Sequence, residues 1–348
     1  MAKRSRQREL AEHLRFQSSA CAQLGSRLYA DLLGAAAADV EAGGPAWSVL
    51  RADQEDPWPT ALGLRLMGAV NRLVLAGREP ELADLYADPD ADRGSVWPVF
   101  ADTLQRNTDE LQRLARLPVQ TNEVGRSAAL LFGFASVAAG TGLPLRLLEI
   151  GASAGLNLRW DRFAYEAEGF AWGPESSPVQ IRFRLEGASP APLPAEIEVR
   201  ERRGCDAAPI DPATPEGRLS LLAYVWPDQR SRIERMRAAL RVAAEVAARV
   251  DRDGAATWLG SRLAEPVPGS ATVVFQSIVA QYLGDEGRAA VEDRLRDAGE
   301  RATDESPLAW LRMEPDGDRA TVTLTTWPGG ETSLLARAGY HGDPVELR

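Results

Sequence analysis

Cysteine, lysine and histidine are scarce in this chain, and each scarcity excludes something. The only cysteines, Cys21 and Cys205, have no partner pattern, so neither a disulfide framework nor a zinc site is expected, which fits a reducing cytoplasm. Lys3 is the only lysine, so nearly all the positive charge is arginine, a mark of genome composition rather than of function. The two histidines, His13 and His341, lack ligand partners at a recognisable spacing, and no metal is expected. A net charge of −10 argues against general nucleic-acid binding, which needs a basic face to release counterions. Lys3–Arg8 runs directly into Glu9 and Glu12, leaving no apolar signal-peptide core. The uncharged run Ser127–Leu145 is broken by Gly133, Gly140, Gly142 and Pro144, so it reads as a buried helix rather than a membrane span. Internal repeats and low-complexity tracts are absent too.

What is present is enough for a sizeable core: 45% of the 348 residues are hydrophobic. Up to about residue 142 the spacing is helical. Leu10, Leu14, Cys21, Leu24, Leu28 and Leu32 predict a helix over Gln7–Leu33, and Leu62, Leu66, Val70, Leu73 and Val74 predict one over Ala61–Ala76. Further helices are expected near Pro80–Tyr86, Val96–Leu117 and Glu123–Ala139, with Gly43-Gly-Pro45 and Asp56-Pro-Trp-Pro59 as punctuation. From residue 143 the texture changes to apolar runs separated by helices. Strands are predicted at Leu145–Ile150, Glu196–Arg200, Ala271–Ser277, Leu308–Met313 and Thr321–Thr326, with a long helix over Ser231–Val250. Residues 169–194 form an insertion, a loop or hairpin around Val179–Leu185. The expected fold is α/β, a Rossmann-like, doubly wound parallel sheet over 143–348. A helical domain over 1–142 would serve as lid or acceptor-pocket wall.

The most informative stretch is Leu145–Asn157, an apolar strand ending in Glu149 and then a turn bracketed by Gly151 and Gly155. A helix starting at Leu156 and running to Tyr165 would aim free N–H groups into that turn. Three readings compete. Gly151-Ala-Ser-Ala-Gly155 fits a nucleophile elbow, with Ser153 as a serine-esterase nucleophile and His341 as its base; an α/β-hydrolase, however, needs strands and an oxyanion loop before the elbow. A dinucleotide site needs a glycine where Ser153 stands, and a third glycine. An S-adenosylmethionine site needs an acid before a looser glycine turn. Glu149 is that acid, with Gly151, Ala152, Ser153, Gly155 and Asn157 around it. Asp206, at the next strand's end, would accept the ribose hydroxyls, Asp253 would lie near the adenine, and Gln276 and Ser277 would face the crevice. Each has a plainer alternative, since aspartates after strands also cap helices or make turns.

The string Leu148-Glu-Ile-Gly-Ala-Ser-Ala-Gly-Leu-Asn-Leu158, with Asp161, resembles the central motif of the bacterial domain-of-unknown-function family 2332. Thr121-Asn-Glu-Val-Gly-Arg-Ser127, Gly204-Cys-Asp206, Tyr224-Val-Trp-Pro-Asp-Gln229, Pro307-Leu-Ala-Trp-Leu-Arg312, Trp327-Pro-Gly-Gly330 and His341-Gly342 extend the resemblance over most of the chain. It implies a C-terminal half similar to S-adenosylmethionine-dependent methyltransferases and no known substrate. Two positions depart from it: Gln276 where a histidine is expected, and Gly254 where an acid is expected, with Asp253 beside it.

Methyl transfer from a sulfonium mainly requires alignment, and a base only where the acceptor must lose a proton. Candidates near the acceptor, a small molecule or peptide, are Glu123, Asp228, Tyr282 and His341. Glu123 and Asp228 also suit helix starts, Tyr282 packing, and His341 a solvated turn. His13 reads as structural. A non-catalytic cofactor-binding protein that kept the fold is a further alternative, motivated by Gln276.

Overall fold

The structure, a computed structural model, describes residues 2–53, 57–88 and 93–348. They divide into two compact units: residues 1–121 with 214–234, and residues 122–213 with 235–348.

The first unit is helical. Its elements are α1 (Ala2–Gln23), α2 (Arg27–Ala42), α3 (Pro45–Leu50), α4 (Pro57–Thr60), α5 (Leu62–Leu75), α6 (Pro80–Ala87), α7 (Arg93–Arg106) and α8 (Thr108–Leu114). The helix expected over Gln7–Leu33 is two: Gly25, at φ +84°, ends the first, and the Ser26 side chain caps the second by accepting from Tyr29 N–H. The helix expected over Val96–Leu117 likewise breaks at Asn107. Of the Asp56–Pro59 punctuation, Asp56 lies outside the described residues, and Pro57–Thr60 forms a single helical turn. Leu10, Leu14, Leu32, Leu33, Leu66 and Phe100 meet in one core.

The second unit opens with α9 (Ser127–Thr141), which packs on strands of the large sheet. It belongs with that sheet rather than with the helical segment it was grouped with on sequence. By length and composition Val124–Thr141 is apolar enough to cross a membrane, but 67% of that stretch is buried within the protein. Along the chain follow β1 (Leu145–Ile150), a 3-10 turn at Leu156–Arg162, β2 (Ala164–Ala167), β3 (Phe170–Trp172), β4 (Gln180–Arg182), β5 (Leu185–Gly187) and β6 (Val199–Asp206). Next come α10 (Pro215–Ala223) and the start of α11 (Arg230–Glu245), which belong to the first unit, and then, back in the second, β7 (Arg249–Arg252), α12 (Ala255–Arg262), β8 (Ala271–Ser277) and α13 (Ala280–Gly299). The chain ends on β9 (Leu308–Asp316), β10 (Arg319–Trp327), β11 (Glu331–Ala338) and β12 (Val345–Leu347).

Nine strands form one mixed sheet in the order β5-β12-β11-β10-β9-β8-β1-β6-β7. From β9 to β7 all neighbours are parallel, whereas β9, β10, β11 and β12 pair antiparallel, so the expected all-parallel sheet holds only for that half. The insertion at 169–194 is strand-forming: β3 and β4 flank β2 in a small second sheet, and β5 joins the edge of the large one. Three other boundaries differ from expectation. The strand expected at Glu196–Arg200 starts later and runs to Asp206, the helix over Ser231–Val250 stops at Glu245, and Leu156–Tyr165 is a 3-10 turn followed by β2.

β1 and β8 are buried along their whole length because both sheet faces are covered. On one face Leu148, Ile150 and Val274 meet Trp258 and Leu259 of α12 and Leu295 of α13. On the other, Phe134 of α9 stacks on Trp160 at 4.4 Å and meets Phe275 edge-on at 5.0 Å. The Phe134→Ala variant should lower the unfolding free energy by about 3–5 kcal/mol. Denaturant unfolding of parent and variant measures this, and a loss below about 1 kcal/mol would show that the stack is not central to the core.

Candidate functional site

The order of the parallel strands reverses between β1 and β8: from β1 the chain proceeds outward through β6 to β7, then returns to β8 on the other side. At such a switch point the loops leaving neighbouring strands diverge and open a crevice beyond their C-terminal ends. The turn leaving β1 lies there. Gly151 and Gly155 have φ +65° and +66°, and Ser153 has φ +53°, a left-handed conformation rare outside glycine. Ala152 N–H donates to Cys205 O at 3.0 Å, and Ser153 N–H to Asp206 Oδ2 at 2.9 Å, so the tip of β6 holds the turn. This close approach explains Gly204, where an added Cβ would lie 2.5 Å from the Ala152 Cβ. The free N–H groups expected after the turn are in part taken: Leu156 N–H donates to Asn122 Oδ1 at 3.0 Å.

Glu149 lies beneath this turn, 2% exposed, and its Oε2 has no hydrogen-bond partner. Burial, aided by the nearby Asp206 carboxylate, pushes its carboxyl well above the usual range, against the opposing pull of Arg159 and Arg126. Arg159 is held by Val246 O and Gly155 O, both at 2.7 Å, and burial beside Arg202 lowers it to about 10. Asn157 presents a second orphan acceptor, its buried Oδ1, while its amide donates to Glu123 O at 3.3 Å. Buried acceptors without donors are uncommon and mark places where a ligand or ordered water completes the bonding. Burial raises the Cys205 thiol to about 12, so it is no nucleophile while enclosed.

Asp206 points at the turn, each oxygen taking one backbone N–H, from Ser153 and from Ala208 at 2.8 Å. Asp253 makes the turn its sequence also spelled, with Oδ1 accepting from Gly254 N–H at 2.7 Å. Gln276 does not reach the site: it shares a face of β8 with Val274, opposite Glu149. Its amide donates to Glu314 Oε1 at 2.6 Å and accepts from Trp310 at 3.3 Å. Ser277 O accepts from Arg126 Nη1 at 3.1 Å.

The four acceptor-side candidates separate. Glu123 Oε1 accepts from Gly125 N–H at 2.9 Å and Arg235 Nη2 at 3.3 Å, capping a short turn. The backbone of His341 and Gly342 presses on Gly125, where an added Cβ would lie 2.4 Å from His341 O. Arg126 ties this region to the end of β8, donating to Tyr340 O as well as to Ser277 O. Tyr282 is 56% exposed at the start of α13. Asp228 belongs to the helical unit, where its carboxylate accepts from Ser26 Oγ at 2.7 Å and Leu28 N–H at 3.0 Å at the start of α2. His13 accepts from Gly63 N–H at 3.1 Å.

Sequence reasoning named Asn122 and Arg126 only as neighbours of Glu123, and missed Arg159 and Glu314 as site-forming residues. The arginines are hidden by a chain whose cations are nearly all arginine, and Glu314 by its place on a predominantly apolar strand. Asn122 and Arg126 flank Glu123 in a string singled out on other grounds, the only signal available for them.

Residues 11–347 match the model of a family described as uncharacterised proteins conserved in bacteria, domain of unknown function 2332. No curated protein and no solved structure matches the chain.

Because the folded protein holds the Glu149 proton more tightly than the unfolded chain does, the associated stability is fully present below the unfolded value of 4.5 and is lost as pH rises through the higher folded value. Glu149→Gln removes this loss. The melting temperature of the variant relative to the parent should therefore climb as pH rises above 4.5. A pH-independent difference would mean that Glu149 is solvated or paired.

Proposed function

The chain belongs to the bacterial family of uncharacterised proteins numbered 2332, and from there we propose that it is an S-adenosylmethionine-dependent methyltransferase acting on a small-molecule or peptide acceptor. The observation that carries this reading is Glu149, a buried carboxyl with an unsatisfied oxygen at the strand-order reversal. The order β7-β6-β1-β8-β9 supports it, since numbered along the chain it is the 3-2-1-4-5 arrangement of nucleotide-binding Rossmann sheets. The taken Leu156 N–H speaks against a pyrophosphate cradle and is compatible with a cofactor that has none.

The residues fit such a group. The orphan oxygens of Glu149 and Asn157 would accept from the ammonium of its amino-acid part. Asp206, whose oxygens each retain accepting capacity beyond one backbone bond, would take the sugar hydroxyls. Gly151, Ala152, Ser153 and Gly155 would present backbone to it, and Asp253 would stand at the next strand's end. When bound, the cofactor supplies an electrophilic methyl on a sulfonium. The chain's task is then to hold the acceptor in line and exclude water. Where the acceptor must lose a proton, Glu123 and half-buried His341, whose backbone packs on Gly125, are the candidate bases.

One observation favours the serine-esterase reading: the strained φ of Ser153 is what a nucleophile elbow requires. Against it, no described strand precedes β1.

Calorimetry with S-adenosylmethionine and S-adenosylhomocysteine should give one-site binding that Glu149→Ala and Asp206→Ala each weaken at least about tenfold, about 1.4 kcal/mol, in variants that melt cooperatively. Absence of binding to the parent, or binding indifferent to both substitutions, rules the proposal out. Fluorophosphonate labelling of Ser153, with ester turnover lost in Ser153→Ala, would install the esterase in its place.

A further inference from the structure

The first glycine of the turn is covered by the side chain of Val279, the second by Leu158 and Val250. Val279 packs on Gly151 so closely that its Cγ2 lies 2.6 Å from where an added Cβ would stand. Val279 follows Ile278, which has φ +58°. A β-branched residue is a genuine outlier there, and such conformations persist only where the surroundings impose them. Five residues after Val279, α13 is interrupted by Gly284 at φ 65° and ψ 174°, a region open essentially to glycine alone. The first turn of α13 is thus set apart from the rest of the helix, whose Val291, Leu295 and Ala298 are buried. Within that turn Gln281 and Tyr282 are exposed.

What holds the segment is a latch. The Glu314 carboxylate accepts from both Val279 N–H and Ala280 N–H at 3.2–3.3 Å and is itself held by Gln276 Nε2 at 2.6 Å. On the near side, Ile278 N–H is fixed to Met313 O at 2.8 Å.

From this arrangement we infer that residues 278–284 form a gate over the glycine turn, closed in this structure. Val279 is its plug, Ile278 and Gly284 its hinges, and Glu314 its catch. A ligand reaches Gly151 only after the first turn of α13 swings out, exchanging the Glu314 bonds for contacts of its own. Gln276 thereby acquires a role as support of the catch, and Tyr282 rides on the moving element. The identity of the ligand rests on the cofactor reading above; the gate does not.

Cys205 makes the gate observable without any ligand. It is 1% exposed, accepts from Gly151 N–H, and lies in the core cluster against which Val279 packs. In a Cys21→Ser background it is the sole thiol. Its modification by a maleimide, and hydrogen exchange of the amides of residues 279–283, should both accelerate about tenfold in Glu314→Gln and in Val279→Ala, while the amides of β1 and β8 keep parental rates. Association of S-adenosylhomocysteine should quicken in proportion. Thiol and exchange rates unchanged in both variants overturn the gate, as does acceleration shared by β1 and β8, which would be global unfolding. Selective acceleration without any S-adenosylhomocysteine binding upholds the gate and removes the cofactor reading instead.

Discussion

A carboxyl group enclosed by protein with one oxygen bonded to nothing is the constraint around which the second unit is organised. Glu149 has no choice of orientation: it alternates with Leu148 and Ile150, whose side chains are fixed in the core on the other face of β1. A buried polar atom left unpaired costs free energy that folding has to offset elsewhere. Here the compensation is spread over the neighbourhood. Arg159 and Arg126 oppose the desolvation without bonding the free oxygen, and both are pinned by backbone carbonyls that keep them at a distance.

The tip of β6 fixes the turn above that carboxyl in the same way. Gly204 allows the close approach, Asp206 takes the Ser153 N–H, and Asn122 reaches in from the segment before α9 to take the next free donor at Leu156. The result is a turn in which the Ala152, Ser153, Gly155 and Leu156 N–H groups are bonded, flanked by two side-chain acceptors, Glu149 Oε2 and Asn157 Oδ1, that are not. That asymmetry is the opposite of a phosphate site, where N–H donors wait for oxygens. A donor-rich cation is the chemistry it matches. The proposed gate acts at the start of the same turn, where Val279 packs on Gly151.

The legible parts of this fold are those where burial is uniform. β8 reads directly from its Val273-Val-Phe275 run, and Leu145–Ile150 from its leucines and isoleucine, because a strand covered on both faces is mostly apolar even where Arg146 and Glu149 interrupt it. β6 is nearly as central yet was misplaced, because its Val199-Arg-Glu-Arg-Arg203 composition looks solvated. Its arginines are instead absorbed by partners distant in sequence: Arg202 by Asp161, and Arg203 by Asp251, whose carboxyl the Arg203 guanidinium holds far below the usual carboxylate range. β11 begins with four exposed residues and β12 is three residues long, so neither carries a periodic signal. In the site, Glu149 and Asp206 were recognisable from position at strand ends. The roles of Glu314 and Gln276 were not, because a latch exists only once β8, β9 and α13 are brought together.

The most direct measurement on the central claim is the proton balance of binding. Titrating S-adenosylhomocysteine by calorimetry in buffers of different ionisation enthalpy, above pH 4.5, should release protons on binding to the parent, because the ligand's ammonium favours ionisation of a carboxyl that burial shifts toward its protonated form. Glu149→Gln should release none. Binding to the parent without proton release, or with equal release from both proteins, would contradict the assignment of Glu149 as the waiting counter-ion.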